Sequence, residues 1–165
     1  MLKRVGKTSA QVFAGLLLAA LCGMAQSYTI SAKPGAVNYI EGNVSLNGSP
    51  VSDKGLKSTF LNTNDTLSTD LGKAEILLTP GVFLRMGDNT QIRMVSPSLT
   101  DTQVEVVRGE IMIEATGLGK ENGIQVLDHG SITTLMKNGL YRFTADDPPL
   151  AAVLDGKADS RRVRA

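Results

Sequence analysis

From Gly35 onward, apolar and polar residues alternate with a period of two, in short runs separated by Gly, Asn, Asp and Pro. That period marks a strand with one buried face, because successive side chains leave a pleated chain on opposite sides. Lys73 to Leu78 sets Ala74, Ile76 and Leu78 on one face; Thr79-Pro80-Gly81 turns the chain, and Val82, Leu84 and Met86 resume with Phe83 and Arg85 opposite. Gly87-Asp88-Asn89-Thr90 leads into Ile92 and Met94, and Ser96-Pro97-Ser98 breaks the run. The alternation returns at Val104 and Val106, Ile111 and Ile113, Ile124 and Val126, and then at Ile132 and Leu140 to Phe143. No helical spacing competes with it past residue 25.

Strands of about five residues spaced by about ten describe a sandwich, a barrel or a β-solenoid. Parallel βαβ architecture is excluded, since no segment supplies the crossover helices. Ile40-Glu41-Gly42-Asn43-Val44, Val107-Arg108-Gly109-Glu110-Ile111 and Leu154-Asp155-Gly156-Lys157-Ala158 share one pattern: apolar, charged, Gly, polar, apolar. Glycine permits the bulge or bend by which an alternating strand turns a corner and keeps both halves on one core. Gly42, Gly81, Gly109 and Gly156 are therefore the expected structural corners. The expected fold is all-β, with short strands in a coiled, β-solenoid-like or sandwich arrangement preceded by a signal-peptide helix.

That leader is read from the first residues. Lys3, Arg4 and Lys7 carry no acidic neighbour and precede an apolar run, Val12 to Cys22, as a basic segment precedes the hydrophobic part of a secretory signal. The run is roughly half the 20 residues that cross a bilayer, so a retained anchor is the weaker reading. Small residues at Gly23 and Ala25 place cleavage after Ala25, with Gln26 as the new N-terminus. The expected organisation is a signal peptide over 1–25, a short linker over 26–34, a β domain over 35–158 and a polar basic tail over 159–165. The alternation calls for another apolar strand after Ala158, so the tail is read as the end of a shortened chain that leaves a strand edge exposed. Leu21 precedes Cys22 where a lipoprotein needs a small residue. Once Cys22 leaves with the leader, neither disulfides nor thiol chemistry remain.

Lys and Arg number 17 against 16 Asp and Glu; removing Lys3, Arg4 and Lys7 leaves 14 against 16, a net charge of −2. Nucleic acid is excluded as a partner, because counterion release needs a concentrated basic surface. Only the tail arginines Arg161, Arg162 and Arg164 depart from this, and they suffice for weak contact alone. With no Trp and 4% aromatic residues, the core must be aliphatic.

The order of motifs resembles the FecR periplasmic domain. The residues that carry the likeness are Asp65 to Thr69, Leu71 to Leu78, Thr79-Pro80-Gly81 with Val82 to Met86, and Asn89-Thr90. Val104 to Ile111 is similar to the family's glycine corner, and Gly139 to Phe143 with Val153 to Ala158 resemble its closing strands. The resemblance runs from about Gly35 to Ala158. It implies a non-catalytic module outside the cytoplasm and transfers no catalytic residue. Lys137-Asn138-Gly139 stands where the family has Gly-Thr. The anti-sigma and membrane-relay parts of sigma-regulating members are not implied here.

Reactive groups are sparse. Asp128-His129-Gly130-Ser131 holds the one histidine, but a triad needs groups converging from separate supports, and neighbours in a tight turn point apart. One His without Cys is a poor zinc site. Asp146-Asp147, Asp88-Asn89 and Asn62 to Asp65 offer oxygens to calcium without EF-hand spacing, and turn chemistry explains them. Gly117-Leu118-Gly119-Lys120-Glu121-Asn122 starts like a dinucleotide fingerprint but lacks its third glycine and its helix, so it reads as a hairpin loop. Tyr28, Tyr39 and Tyr141 read as packing residues rather than a binding face. An enzyme would need a carboxylate pair such as Glu105 and Glu114 in one cleft.

The expected function is thus a binding or scaffold protein of the bacterial envelope, periplasmic or secreted, not an enzyme, with no cofactor and no metal. It touches the membrane only through its leader during export. Its expected partner is another envelope protein, met by strand addition at a sheet edge or at the corner loops. An envelope polysaccharide is the alternative, and a hydrolase with paired carboxylates ranks below both.

Overall fold

The computed structural model describes residues 33–163. The leader, its cleavage point at Ala25 and Gln26, most of the linker, Tyr28 and Arg164 lie outside the described residues. The alternating segments form twelve strands: β1 (Ala36–Leu46), β2 (Ser49–Pro50), β3 (Thr66–Thr79), β4 (Val82–Met86), β5 (Gln91–Ser98), β6 (Asp101–Arg108), β7 (Glu110–Ala115), β8 (Gly123–Asp128), β9 (Ser131–Leu135), β10 (Gly139–Thr144), β11 (Leu150–Asp155) and β12 (Ala158–Arg162). A single 3-10 turn, Asp53–Ser58, is the one helical element among the described residues. The described residues are all-β, as their pattern predicts.

All twelve strands join one sheet, ordered β11-β10-β7-β4-β3-β5-β6-β8-β9-β12, with β1 along the other edge of β3. The sheet curls into a nearly closed, barrel-like body. It curls because its long strands bend. β3 pairs with β5 through Thr66 to Ser68 and with β4 through Ala74 to Thr79, while β1 follows it on both sides of the bend. β6 and β7 repeat the arrangement against β5 and β4, with Gly109 between them. Among the described residues every pairing is antiparallel except that of β6 with β8, where β7 rather than a helix makes the crossover.

Burial records each bend as a change of phase. In β3 the buried positions are Leu67 and Thr69 before the bend, then Ala74, Ile76 and Leu78 after it, so odd numbers give way to even. Val104 and Val106 are followed by Ile111 and Ile113, and Val37 by Val44. Gaining or losing one residue at the bend keeps both halves facing the same interior, since a one-residue slip alone would turn the second half outward. The interior is aliphatic as composition requires, with Leu61, Leu67, Ile76, Leu78, Leu84 and Ile113 fully enclosed.

A row of side chains repairs what the bends break. Turning a strand pulls backbone donors and acceptors out of register, and buried ones left unpaired cost about 1–3 kcal/mol each. The buried Thr69 hydroxyl donates to the Gly87 carbonyl at 2.5 Å and accepts the Thr90 N–H at 3.1 Å. The Thr90 hydroxyl lies 3.0 Å from the Asp88 carbonyl and 3.3 Å from the Glu110 N–H. Asp88 in turn accepts the Gly72 N–H at 2.7 Å, and Asp146 accepts that of Gly109 at 3.3 Å.

Three of the four expected glycines sit at bends: Gly42 opposite Gly72, Gly109 between β6 and β7, and Gly156 between β11 and β12. Gly81 instead forms the tight turn from β3 to β4, where Thr79-Pro80-Gly81 reverses the chain. The strands are longer than expected at the bends, with 14 residues in β3 and 11 in β1, because the chain passes the corner without leaving the sheet. The boundary at Ala158 also moves. Ala158–Arg162 is strand β12, paired with β9, so the polar residues set apart as a tail extend the sheet. Their backbone completes a ladder that needs no apolar side chains at an exposed edge.

Candidate functional site

The sheet has two ends, and they are finished differently. β1 is covered at both ends of its outer side by the chain that follows it. Ser45 and Leu46 pair with β2, the Val51 N–H donates to the Val44 carbonyl at 2.9 Å, and Ala36 bridges to Phe60. The Val37 N–H reaches the Thr59 carbonyl at 3.0 Å, and Lys33 lies over the Phe60 ring. Such covering is how proteins keep an edge strand from recruiting a foreign one.

The other end is one bent strand, β11 turning at Gly156 into β12. β11 pairs only with β10 and β12 only with β9, so among the described residues nothing pairs along their outer side. Leu150, Val153, Leu154 and Val163 are 46–56% exposed there. Val153 stands opposite the buried Tyr141, and Ala151 opposite the buried Phe143, so both look toward the core side of the sheet and still meet solvent. Past Gly156 the same edge becomes polar, with Asp159, Ser160, Arg161 and Arg162 all exposed. The arrangement offers a row of backbone donors and acceptors, apolar in its first half and charged in its second, to any extended segment.

The chemistry-bearing residues found in the sequence are kept apart. His129 holds a left-handed φ of 42° in the turn from β8 to β9, and its Nδ1 lies 2.5 Å from Asp128. Ser131 opens β9 opposite Asp128 and Arg162, and no hydrogen bond joins it to His129 among the described residues. Glu105 pairs with Arg93 beyond the Gly109 corner from Glu114, which pairs with Arg85 at 2.7 Å. The Glu114 hydrogen bond holds the Arg85 guanidinium above its ordinary pKa; burial opposes it, and the Glu75 hydrogen bond assists.

The oxygen-rich turns are occupied by local bonds. Asp65 accepts from Asn47 Nδ2 at 2.8 Å and from the Asn62 N–H at 2.7 Å. The Asn47 bond is the main reason its carboxyl lies below the usual carboxylate range; slight burial opposes, and both Asn62 donors assist. Among the described residues no three His, Cys, Asp or Glu side chains converge as metal ligands. The Gly117 to Asn122 loop joins β7 to β8, closed by the Asn122 side chain on the Gly119 N–H at 3.1 Å. Tyr39 is 48% exposed and donates to Glu41 at 2.7 Å, whereas Tyr141 is wholly buried at the last corner.

Two open recesses of about 430 Å³ lie on the surface, one lined by Glu114, Asn138, Leu140 and Asp155, the other by Arg85, Asp88, Glu110 and Met112. The first reaches the edge strand only at Asp155, and the second does not reach it. An exposed edge is expected from the pattern after Ala158; the structure has it start at Leu150. The signal that it begins at Leu150 is Leu150-Ala151-Ala152-Val153-Leu154, a run apolar on both faces that follows Pro148-Pro149 and so fits neither a half-buried strand nor a loop. No family model, no curated protein and no solved structure matches the chain.

Proposed function

We propose that this chain is a non-catalytic binding or scaffold module of the FecR-domain type, exported to the bacterial envelope, which takes a strand from another envelope protein onto its β11–β12 edge. The observation that carries the reading is the contrast between the two ends of the sheet. Both ends of β1 are covered, and among the described residues nothing covers the outer side of β11–β12, although Leu150, Val153 and Leu154 lie exposed along it. In strand addition, main-chain hydrogen bonds supply affinity and alternate side chains supply selectivity, so no pocket is required. Site-specific photo-crosslinkers test this in intact envelopes. Probes at Leu154 or Arg161 are expected to capture one discrete partner that a probe at Leu71, 72% exposed and far from this edge in the sheet order, does not. Equal capture at all three positions, or none, sinks the reading. Mass analysis of the envelope-resident protein is expected to find Gln26 as its first residue.

A polysaccharide partner has one observation in its favour. Gln103, Gln125, Thr134 and Asp159 stand side by side across β6, β8, β9 and β12, a row of hydrogen-bonding groups on one outer face. Retention of the protein on purified envelope polysaccharide, lost on Gln125→Ala, would favour that face over the edge.

A further inference from the structure

We propose that β11 pairs with β11 of a second copy about a two-fold axis at Ala152, continuing the sheet through a closed dimer; this rests on the reading of β11–β12 as a pairing edge. Run antiparallel to itself about Ala152, the strand sets Leu150 opposite Leu154 and Ala151 opposite Val153. Every contact is then apolar, and no charge meets its like, as stable cross-strand pairs require. The register is restricted as well. Moving the axis to Ala151 or to Val153 replaces an apolar contact by one to Pro149 or to Asp155. Pro148 and Pro149 stop the pairing at one end, and the Gly156 bend, just past the bulge at Leu154, stops it at the other.

The rest of the fold explains why a dimer forms rather than a fibre. Adding β11 to β1 of a neighbouring copy would give an open chain of molecules. β2 and the Thr59 to Leu61 segment occupy both ends of the outer side of β1 and obstruct that addition, so among the described residues the self-complementary continuation is favoured. β12 has little part in it. Its outer residues Asp159, Ser160, Arg161 and Arg162 are polar, and pairing them removes no apolar surface from water. The dimer therefore uses the apolar half of the edge and leaves the charged half of each copy free for a different protein.

Sedimentation velocity of the full chain, expressed with its leader and purified, tests the proposal together with amide exchange. The wild type is expected to pass from monomer to dimer as concentration rises, with protection appearing over 150–154. Val153→Lys or Ala151→Glu alone is expected to weaken association roughly ten-fold or more, since each places a charge against an apolar residue. Mixing V153K with A151E restores the dimer, because the two new charges then face each other across the axis. Both positions are exposed, and unchanged circular dichroism and melting confirm that the variants fold. A wild type that stays monomeric with fast-exchanging β11 amides overturns the dimer and leaves the edge open to a foreign strand. A monomer whose outer β11 and β12 amides exchange slowly overturns both readings, since its own chain then covers the edge. A dimer indifferent to V153K also overturns the proposal.

Discussion

Tyr141 ends on the corner that Gly156 makes. Its ring is fully buried, its hydroxyl lies 3.0 Å from the Lys157 carbonyl and close to that of Lys137, and it accepts the Lys157 N–H at 3.2 Å. A Cβ at position 156 would stand 2.5 Å from that hydroxyl. One phenol thus ties the start of β10 to the point where the open edge strand bends.

Tyr141→Phe is expected to cost about 1–2 kcal/mol, because two carbonyls and an N–H lose a partner that the ring still shields from water. Gly156→Ala is expected to cost more in the wild-type background than beside Tyr141→Phe, where one of its two obstructing oxygens is gone and only the Asn138 carbonyl, 2.6 Å away, remains. Urea denaturation of the four proteins reads the coupling, and strict additivity would show that the two residues do not meet.

Gly109 and Gly48 both hold φ at +77°, but their surroundings differ. A Cβ at Gly48 meets nothing, whereas at Gly109 it would stand 2.6 Å from the Thr90 hydroxyl and 2.7 Å from the Asn89 carbonyl. Gly48→Ala is expected to cost about 1–2 kcal/mol, the left-handed strain alone. Gly109→Ala is expected to cost distinctly more or to prevent folding. Equal melting temperatures for the two would mean that the β6–β7 corner does not press on Thr90.

Thr69→Val keeps the shape of a wholly buried side chain and removes its hydroxyl from the Gly87 carbonyl and the Thr90 N–H. A loss of about 1–3 kcal/mol in chemical denaturation is expected, the usual cost of stranding buried backbone groups. Thr69→Ser, which retains the oxygen, is expected to cost less; the reverse order would assign Thr69 to packing alone.

Asp65 supplies a pH dependence with a definite sign. Its folded pKa is depressed, chiefly by Asn47, from the ordinary 3.8. The ion's stabilisation of the fold is therefore complete above the unfolded pKa and is lost as pH falls through the lower, folded value. Asp65→Asn is expected to melt below the wild type at pH 7, and the gap is expected to narrow below about pH 4. A gap that stays constant down to pH 2 would mean that charge at Asp65 does not matter.

The strands were legible because an aliphatic core imposes period two, and Ala74, Ile76 and Leu78 or Ile111 and Ile113 announce their faces without help from tertiary structure. The corners were legible in part. Gly42, Gly109 and Gly156 share a local pattern, and the odd-to-even switch from Thr69 to Ala74 is visible in the letters once a bend is suspected. What escaped was whatever depends on distant pairing. Thr69 and Thr90 look like ordinary strand and turn residues until a neighbouring strand brings Gly87 and Glu110 beside them. Asp159 to Arg162 looks like a tail because an edge strand held by backbone bonds to β9 needs no apolar side chains. The covering of β1 by Thr59 to Leu61 depends on a 3-10 turn whose residues show no periodicity, so the contrast between the two sheet ends had no counterpart in the sequence.

Residue-resolved amide exchange in dilute solution tests that contrast most directly. Val37, Val51 and Leu61, whose N–H groups close the two ends of the β1 edge, are expected to exchange slowly. The outward amides of Leu150–Asp155 and Ala158–Arg162 are expected to exchange orders of magnitude faster. Equal protection at both ends of the sheet would contradict the account.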